Sequence, residues 1–139
     1  VTFMNNLFTR IVQRTPRVRF GSVHLFNNVF DNDRNDPIYA YQYSYGIGLQ
    51  STTRSEHNAF NIGGLNVPCP VMKEFGGTLV ADSGSTFHGA PANLNACGFN
   101  PNIGAPPPYP YAVREMTPAV VAEIRRMAGS GTVDFWLNR

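Results

Sequence analysis

The chain has 139 residues and a formal net charge of +2, with only 14% of residues charged. That length holds one domain or part of one, and so small a net charge excludes a uniformly basic nucleic-acid coat. Thirteen glycines and eleven prolines favour short strands and turns over a helical bundle, and the apolar runs are too short for a membrane-spanning helix.

Val1-Thr2-Phe3 already reads as part of a strand. A domain rarely begins in mid-strand, so an N-terminal portion, carried upstream or as a separate chain, is expected to complete the fold. Arg10, Arg14, Arg17 and Arg19 follow, the last three within six residues, and the first acidic residue of the chain is Asp31. This positive region has no counter-charge near it in sequence, and it suits a polyanion: phosphate, sulfate or a chain of carboxylates.

A strand is predicted over residues 23–26, and around it a short pattern recurs. Asn6-Leu7-Phe8, Asn28-Val29-Phe30 and Asn58-Ala59-Phe60 each place a phenylalanine two residues after an asparagine. The first two copies lie 22 residues apart, and the longer second step is absorbed by the polar stretch 31–36. Such a period with short strands indicates a β-solenoid, in which the asparagines form an amide ladder and the phenylalanines stack.

Within the polar stretch, Asp31, Asp33 and Asp36 are a weak candidate for calcium, since the EF-hand spacing is absent. Tyr39, Tyr41, Tyr43 and Tyr45 alternate and therefore share one face, read here as a stack on the solenoid surface or a platform for sugars. Further strands are predicted over 45–50 and 78–81. His24, His57 and His88 are isolated, with no zinc or triad spacing. Cys69 and Cys97 lie in loop sequence and are expected to form a disulfide in an exported protein; two free buried thiols are the other reading. Six prolines mark residues 89–110 as a loop or wrap with no packed strand inside it. One helix follows over about 117–128, with Thr117 as N-cap, Pro118 in the first turn and Gly129 as the stop. Val120, Val121, Ile124 and Met127 form its apolar face, while Glu123, Arg125 and Arg126 are expected to be solvated. The whole of 1–139 then reads as one solenoid domain, with coils over about 1–88.

The run Gln13-Arg14-Thr15-Pro16-Arg17-Val18-Arg19-Phe20-Gly21, followed by Val23-His24 and Asn27-Asn28, resembles the pectate lyases of polysaccharide lyase family 1. Tyr45-Gly46-Ile47-Gly48 with Glu56-His57-Asn58-Ala59-Phe60 is similar to the following coil of that family, and Pro110-Tyr111-Ala112 with Ala128-Gly129-Ser130-Gly131 to its tail. The resemblance implies an all-β, right-handed parallel β-helix, secreted, that cleaves polygalacturonate (pectate) by calcium-dependent β-elimination. It assigns Arg14 as the Brønsted base and Arg19 as the ligand of a substrate carboxylate. Arg17 stands at a variable position between them, beside the substrate. The calcium ligands and a substrate-binding lysine of the family lie upstream of the motif, so no metal site is expected in this chain. Met4-Asn5 stands where family members often carry histidines.

The chemistry is consistent with these residue types. Removing the proton next to a uronate carboxylate builds up enolate charge, which cations on that carboxylate stabilise. Guanidinium groups pair with carboxylates bidentately. A guanidine is neutral only at high pH, and neighbouring cations favour its neutral form, so an alkaline optimum is expected. Two alternatives differ from this reading: a pectin lyase acting on esterified pectin, and a non-catalytic solenoid that binds acidic glycans. Neither nucleic acid nor membrane is an expected partner.

Overall fold

The computed structural model describes residues 1–129. Its backbone winds in successive coils. The first coil carries β1 (Thr2–Met4), β2 (Leu7–Thr9) and β3 (Arg17–Val18), and the second β4 (Ser22–Phe26), β5 (Val29–Asp33) and β6 (Tyr45–Gly48). The third carries β7 (Thr52–Glu56), β8 (Ala59–Gly63) and β9 (Met72–Phe75); β10 (Leu79–Ser83) and β11 (Thr86–Phe87) begin a fourth. With β12 (Ala90–Pro91), strands from successive coils pair into three sheets, ordered β1-β4-β7-β10, β12-β11-β8-β5-β2 and β3-β6-β9. Every strand pairing between coils is parallel. This is the solenoid that the repeat indicated, in the parallel β-helix form that the resemblance implies.

The bend between the first two sheets sets the register. Asn5, Asn27 and His57 adopt left-handed φ values of 56°, 54° and 49° there, and Gly84 continues the row at 73°. Each kink turns the next residue inward. Asn28 Oδ1 accepts from the backbone N–H of Asn6 at 3.0 Å, and Asn58 Oδ1 accepts from that of Asn28 at 2.9 Å. The side-chain amides also donate along the row, Asn6 to Asn28 at 3.2 Å and Asn28 to Asn58 at 3.0 Å. Ser85 Oγ supplies the fourth rung, accepting from the Asn58 N–H at 3.0 Å. The repeat reading missed this rung because serine replaces asparagine there. Two residues further on in each coil, Phe8, Phe30 and Phe60 stack with ring centroids 4.9 and 4.7 Å apart. Stacked rings and a satisfied amide column allow one coil to sit on the next in only one register.

Several expectations need correction. The strand expected over 45–50 stops at Gly48, and the chain turns through Gln50, φ 54°, into β7. Tyr41, Tyr43 and Tyr45 are buried, and only Tyr39 is exposed, so the alternating tyrosines are no surface stack. Tyr41 and Tyr45 face the core, where their hydroxyls find partners, Ser44 Oγ at 2.8 Å and Ser55 Oγ at 2.9 Å; Tyr43 is buried against Phe75, ring centroids 5.4 Å apart. Burial pushes the Tyr41 and Tyr45 phenols well above their ordinary pKa.

The proline-rich stretch does contain packed structure. β12 (Ala90–Pro91) pairs antiparallel with β11, and Ala92 and Leu94 enter the core. Proline is compatible with β12 because that strand is the edge of its sheet. The Cys69–Cys97 disulfide, Cα atoms 5.5 Å apart, ties this stretch to the turn before β9.

Helix α1 (Pro118–Met127) starts at Thr117, whose hydroxyl accepts from the Val120 N–H at 3.3 Å. Val121 and Ile124 pack with Met116 against Val29 and Ala59, on the outside of the second sheet. Its charged face is not merely solvated. Arg125 donates twice to Asp31, at 2.7 and 2.8 Å, and Glu123 accepts from Arg114 at 2.9 Å. Of the tail motif quoted above, Ser130 and Gly131 lie outside the described residues.

The ladder makes a graded prediction. Asn28 is fully buried, and its amide serves both neighbouring coils and the Phe3 carbonyl. Asn28→Ala leaves buried partners unsatisfied and should cost about 2–4 kcal/mol, whereas Asn6→Ala at the ladder's end should cost about 1 kcal/mol. Denaturant midpoints of the two variants check the order.

Candidate active site

The arginine segment runs from the end of β2 through β3, the edge strand of the third sheet. Its backbone is fixed to the second coil at several points. Thr15, buried, donates from its N–H to Ser44 O at 2.8 Å, and its hydroxyl donates to the same oxygen at 3.3 Å. Pro16 O accepts from the Gly46 N–H, and the Phe20 N–H donates to Leu49 O, each at 2.9 Å. The Thr15–Pro16 peptide is cis, and Arg14 before it has φ 64°. Arg14, Arg17 and Arg19 thus project into solvent from a tethered main chain. Among the described residues none of the three is ion-paired.

Arg10 differs. Its Nε and Nη2 donate to the two carboxylate oxygens of Asp36 at 2.8 and 3.1 Å, and its guanidinium lies 4.8 Å from the Tyr39 ring. The cationic region is therefore not free of counter-charge, because the loop after β5 brings Asp36 back to Arg10. The active cluster narrows to three arginines.

Two of these lie on aromatic rings. The Arg17 guanidinium sits 3.8 Å from the centroid of Phe75, two coils away, and the Lys73 ammonium approaches the same ring to 5.4 Å. Gly46 makes the first contact possible. It pairs with Arg17 across β3 and β6, and a Cβ there would come within 2.7 Å of Arg17 Cγ. Glycine leaves a flat floor over which the arginine stem crosses the second coil. The Arg19 guanidinium lies 4.8 Å from the ring of Phe20. Among the described residues no ring lies beneath Arg14, the least engaged of the three.

Sequence reasoning did not find Phe75, Lys73 or the role of Gly46. They lie 29 or more residues from Arg17, and only the coil register brings them to one face.

The other candidates do not join this cluster. His24 is held between Glu56 Oε1 at 2.7 Å and the Tyr109 hydroxyl at 2.8 Å, on the first sheet. There the proline-rich stretch 103–109 crosses the strands, and Arg54 donates to the carbonyls of Gly104 and Ala105. His57 lies against Gly84, where a Cβ would overlap its ring. His88 Nε2 contacts the backbone of Ile62. Asp31 and Asp36 are taken by Arg125 and Arg10, and Asp33 Oδ1 accepts from the Asn35 N–H at 2.8 Å. Among the described residues, no group of three or more His, Cys, Asp or Glu side chains could hold a metal ion. The residues present therefore do not fit a calcium site.

Comparison with known proteins places this geometry. The profile of the pectate lyase family matches residues 1–133. Pectate lyase A and pectate lyase E of Dickeya chrysanthemi are 45% and 46% identical to the chain over 133 and 138 residues. Each match covers 94% of this chain and 34% of the relative. A solved pectate lyase bound to a hexasaccharide superposes with a TM-score of 0.86 at 31% identity, over 94% of this chain and 33% of that one. The chain spans about a third of the length of the relatives it matches.

The Arg10–Asp36 pair gives a pH prediction. The bidentate bond from Arg10 holds the Asp36 carboxyl well below the usual carboxylate range and raises the Arg10 guanidinium. A depressed folded-state value means that the pair stabilises the fold above the usual carboxylate range and loses that contribution as pH falls from there to the depressed folded value. Asp36→Asn keeps an acceptor for the Ile38 and Tyr39 N–H groups but loses the ion pair. The variant should be less stable than the parent at pH 7, and the difference should close on acidification. Denaturant midpoints between pH 7 and pH 2 check this.

Proposed function

The chain belongs to the pectate lyase family, and on that premise we propose that it carries the base and the carboxylate-binding arginines of a β-eliminating polygalacturonate lyase. The observation that carries this reading is a row of three exposed guanidiniums without acidic partners, on a backbone fixed by Thr15, Pro16 and Phe20. Arg10, Arg114 and Arg125, by contrast, each have an acidic partner, and Arg54 is bound to the carbonyls of Gly104 and Ala105. The cluster at 14–19 is kept open for charge supplied from outside.

In this mechanism Arg19 binds the carboxylate of the uronate being cleaved through its planar fork of N–H donors. Arg14 stands five residues before it, across the tethered turn, and removes the proton next to that carboxylate. The electron pair left behind forms the new double bond, and the glycosidic oxygen leaves. Arg17 adds positive charge between them and favours the enolate-like transition state. Calcium dependence, which the resemblance implies, would have to rest on ligands outside the described residues, and no step here is routed through the metal.

The Cys69–Cys97 disulfide supports export to an oxidising compartment. Among the described residues no helix is long and apolar enough to cross a membrane. Three unpaired guanidiniums favour acidic over esterified pectin, because a methyl ester offers no charge to clamp.

In the full-length protein that contains this chain, Arg14→Lys should reduce turnover of polygalacturonate by about 100-fold or more. Arg19→Ala should raise KM as well. Absorbance of the unsaturated product at alkaline pH, on de-esterified and esterified pectin and with and without chelator, is the measurement. Undiminished turnover by Arg14→Lys would remove the base assignment.

A further inference from the structure

Phe20 is an outlier on three counts. It is 57% exposed, its φ is 56°, and its ring is the partner of the Arg19 guanidinium at 4.8 Å. Left-handed backbone is unfavourable for a bulky side chain, and an exposed ring contributes little to the core. The bend itself does not require a ring. One coil later Gln50 stands at the equivalent position, two residues before the paired Thr52 as Phe20 is before Ser22, with φ 54°. The fold asks this position for a left-handed turn, which an exposed glutamine supplies equally well.

The kink has a specific consequence. In extended backbone, neighbouring side chains point to opposite faces, and residues 19 and 20 could not meet. The positive φ at Phe20, with its N–H fixed to Leu49 O at 2.9 Å, swings the ring to the Arg19 side. The guanidinium then has one face on an aromatic surface. Its in-plane N–H donors stay free, because stacking uses the face and not the edge.

We infer that Phe20 is a positioning residue: its ring holds the Arg19 guanidinium flat, with its donor edge turned to a uronate carboxylate. The inference rests on the carboxylate-binding role proposed above for Arg19. It assigns Phe20 a part in substrate affinity and none in proton transfer.

The test uses the full-length protein containing this chain, with trigalacturonate as the probe. Phe20→Asn removes the ring, and asparagine suits the left-handed backbone, so the melting temperature should stay at or above that of the parent. The Kd for trigalacturonate, read by calorimetry, should rise about five-fold, the size of one exposed cation–π contact. Phe20→Trp should restore affinity. In an Arg19→Ala background, Phe20→Asn should have no further effect. Phe20→Gly serves as a second ring-free variant should the asparagine variant fold poorly. An unchanged Kd in the ring-free variants would overturn the inference, and so would an equal loss in the Arg19→Ala background. Lyase turnover is read separately from product absorbance. A protein that binds trigalacturonate through Arg19 and Phe20 but forms no unsaturated product would refute the lyase reading and leave this one standing.

Discussion

The bend between the first and second sheets is the constraint from which the rest follows. Four successive left-handed residues, Asn5, Asn27, His57 and Gly84, turn the next side chain inward, and Asn6, Asn28, Asn58 and Ser85 then bond along the column. A buried amide that serves two coils tolerates no slip, because any shift would leave its donors and acceptors unsatisfied. The phenylalanine stack beside it repeats the same register in apolar form. Once these columns are fixed, every other contact between coils is fixed as well.

The arginine face shows this dependence. Residues 15–20 gain their geometry from Ser44, Gly46 and Leu49 on the second coil, and the Arg17 stem crosses Gly46 to reach Phe75 on the third. A rigid base matters for chemistry of this kind, since a clamp on developing charge is effective only if its donors are already in place. Short, hydrogen-bonded strands supply that rigidity although the arginine side chains themselves are long.

Charge is distributed with similar economy. Arg125 ties the helix to Asp31 on β5, Arg114 meets Glu123, and Arg10 closes the loop through Asp36. These exposed pairs contribute little individually, but they dispose of local charge, and the three arginines at 14–19 face outward without acidic partners. Aromatic faces replace carboxylates there as partners for Arg17 and Arg19. A ring holds a guanidinium without neutralising it, which a carboxylate cannot do.

The sequence by itself determined the class of fold and the place of the cationic cluster. The asparagine–phenylalanine repeat is local, since each copy spans three residues, and the arginines and their proline lie within one short segment. Both signals survive in a linear reading. What only the tertiary structure decided were contacts between coils: Asp36 returning to Arg10, Tyr41 and Tyr45 turned into the core, Ser85 taking an asparagine's place, and Phe75 under Arg17. Their sequence separations are set by loop lengths that no periodicity announces. Their chemistry also appears only once stacking has fixed which side chain faces which, because a strand alternates its faces with every residue and the register alone says which face is inside.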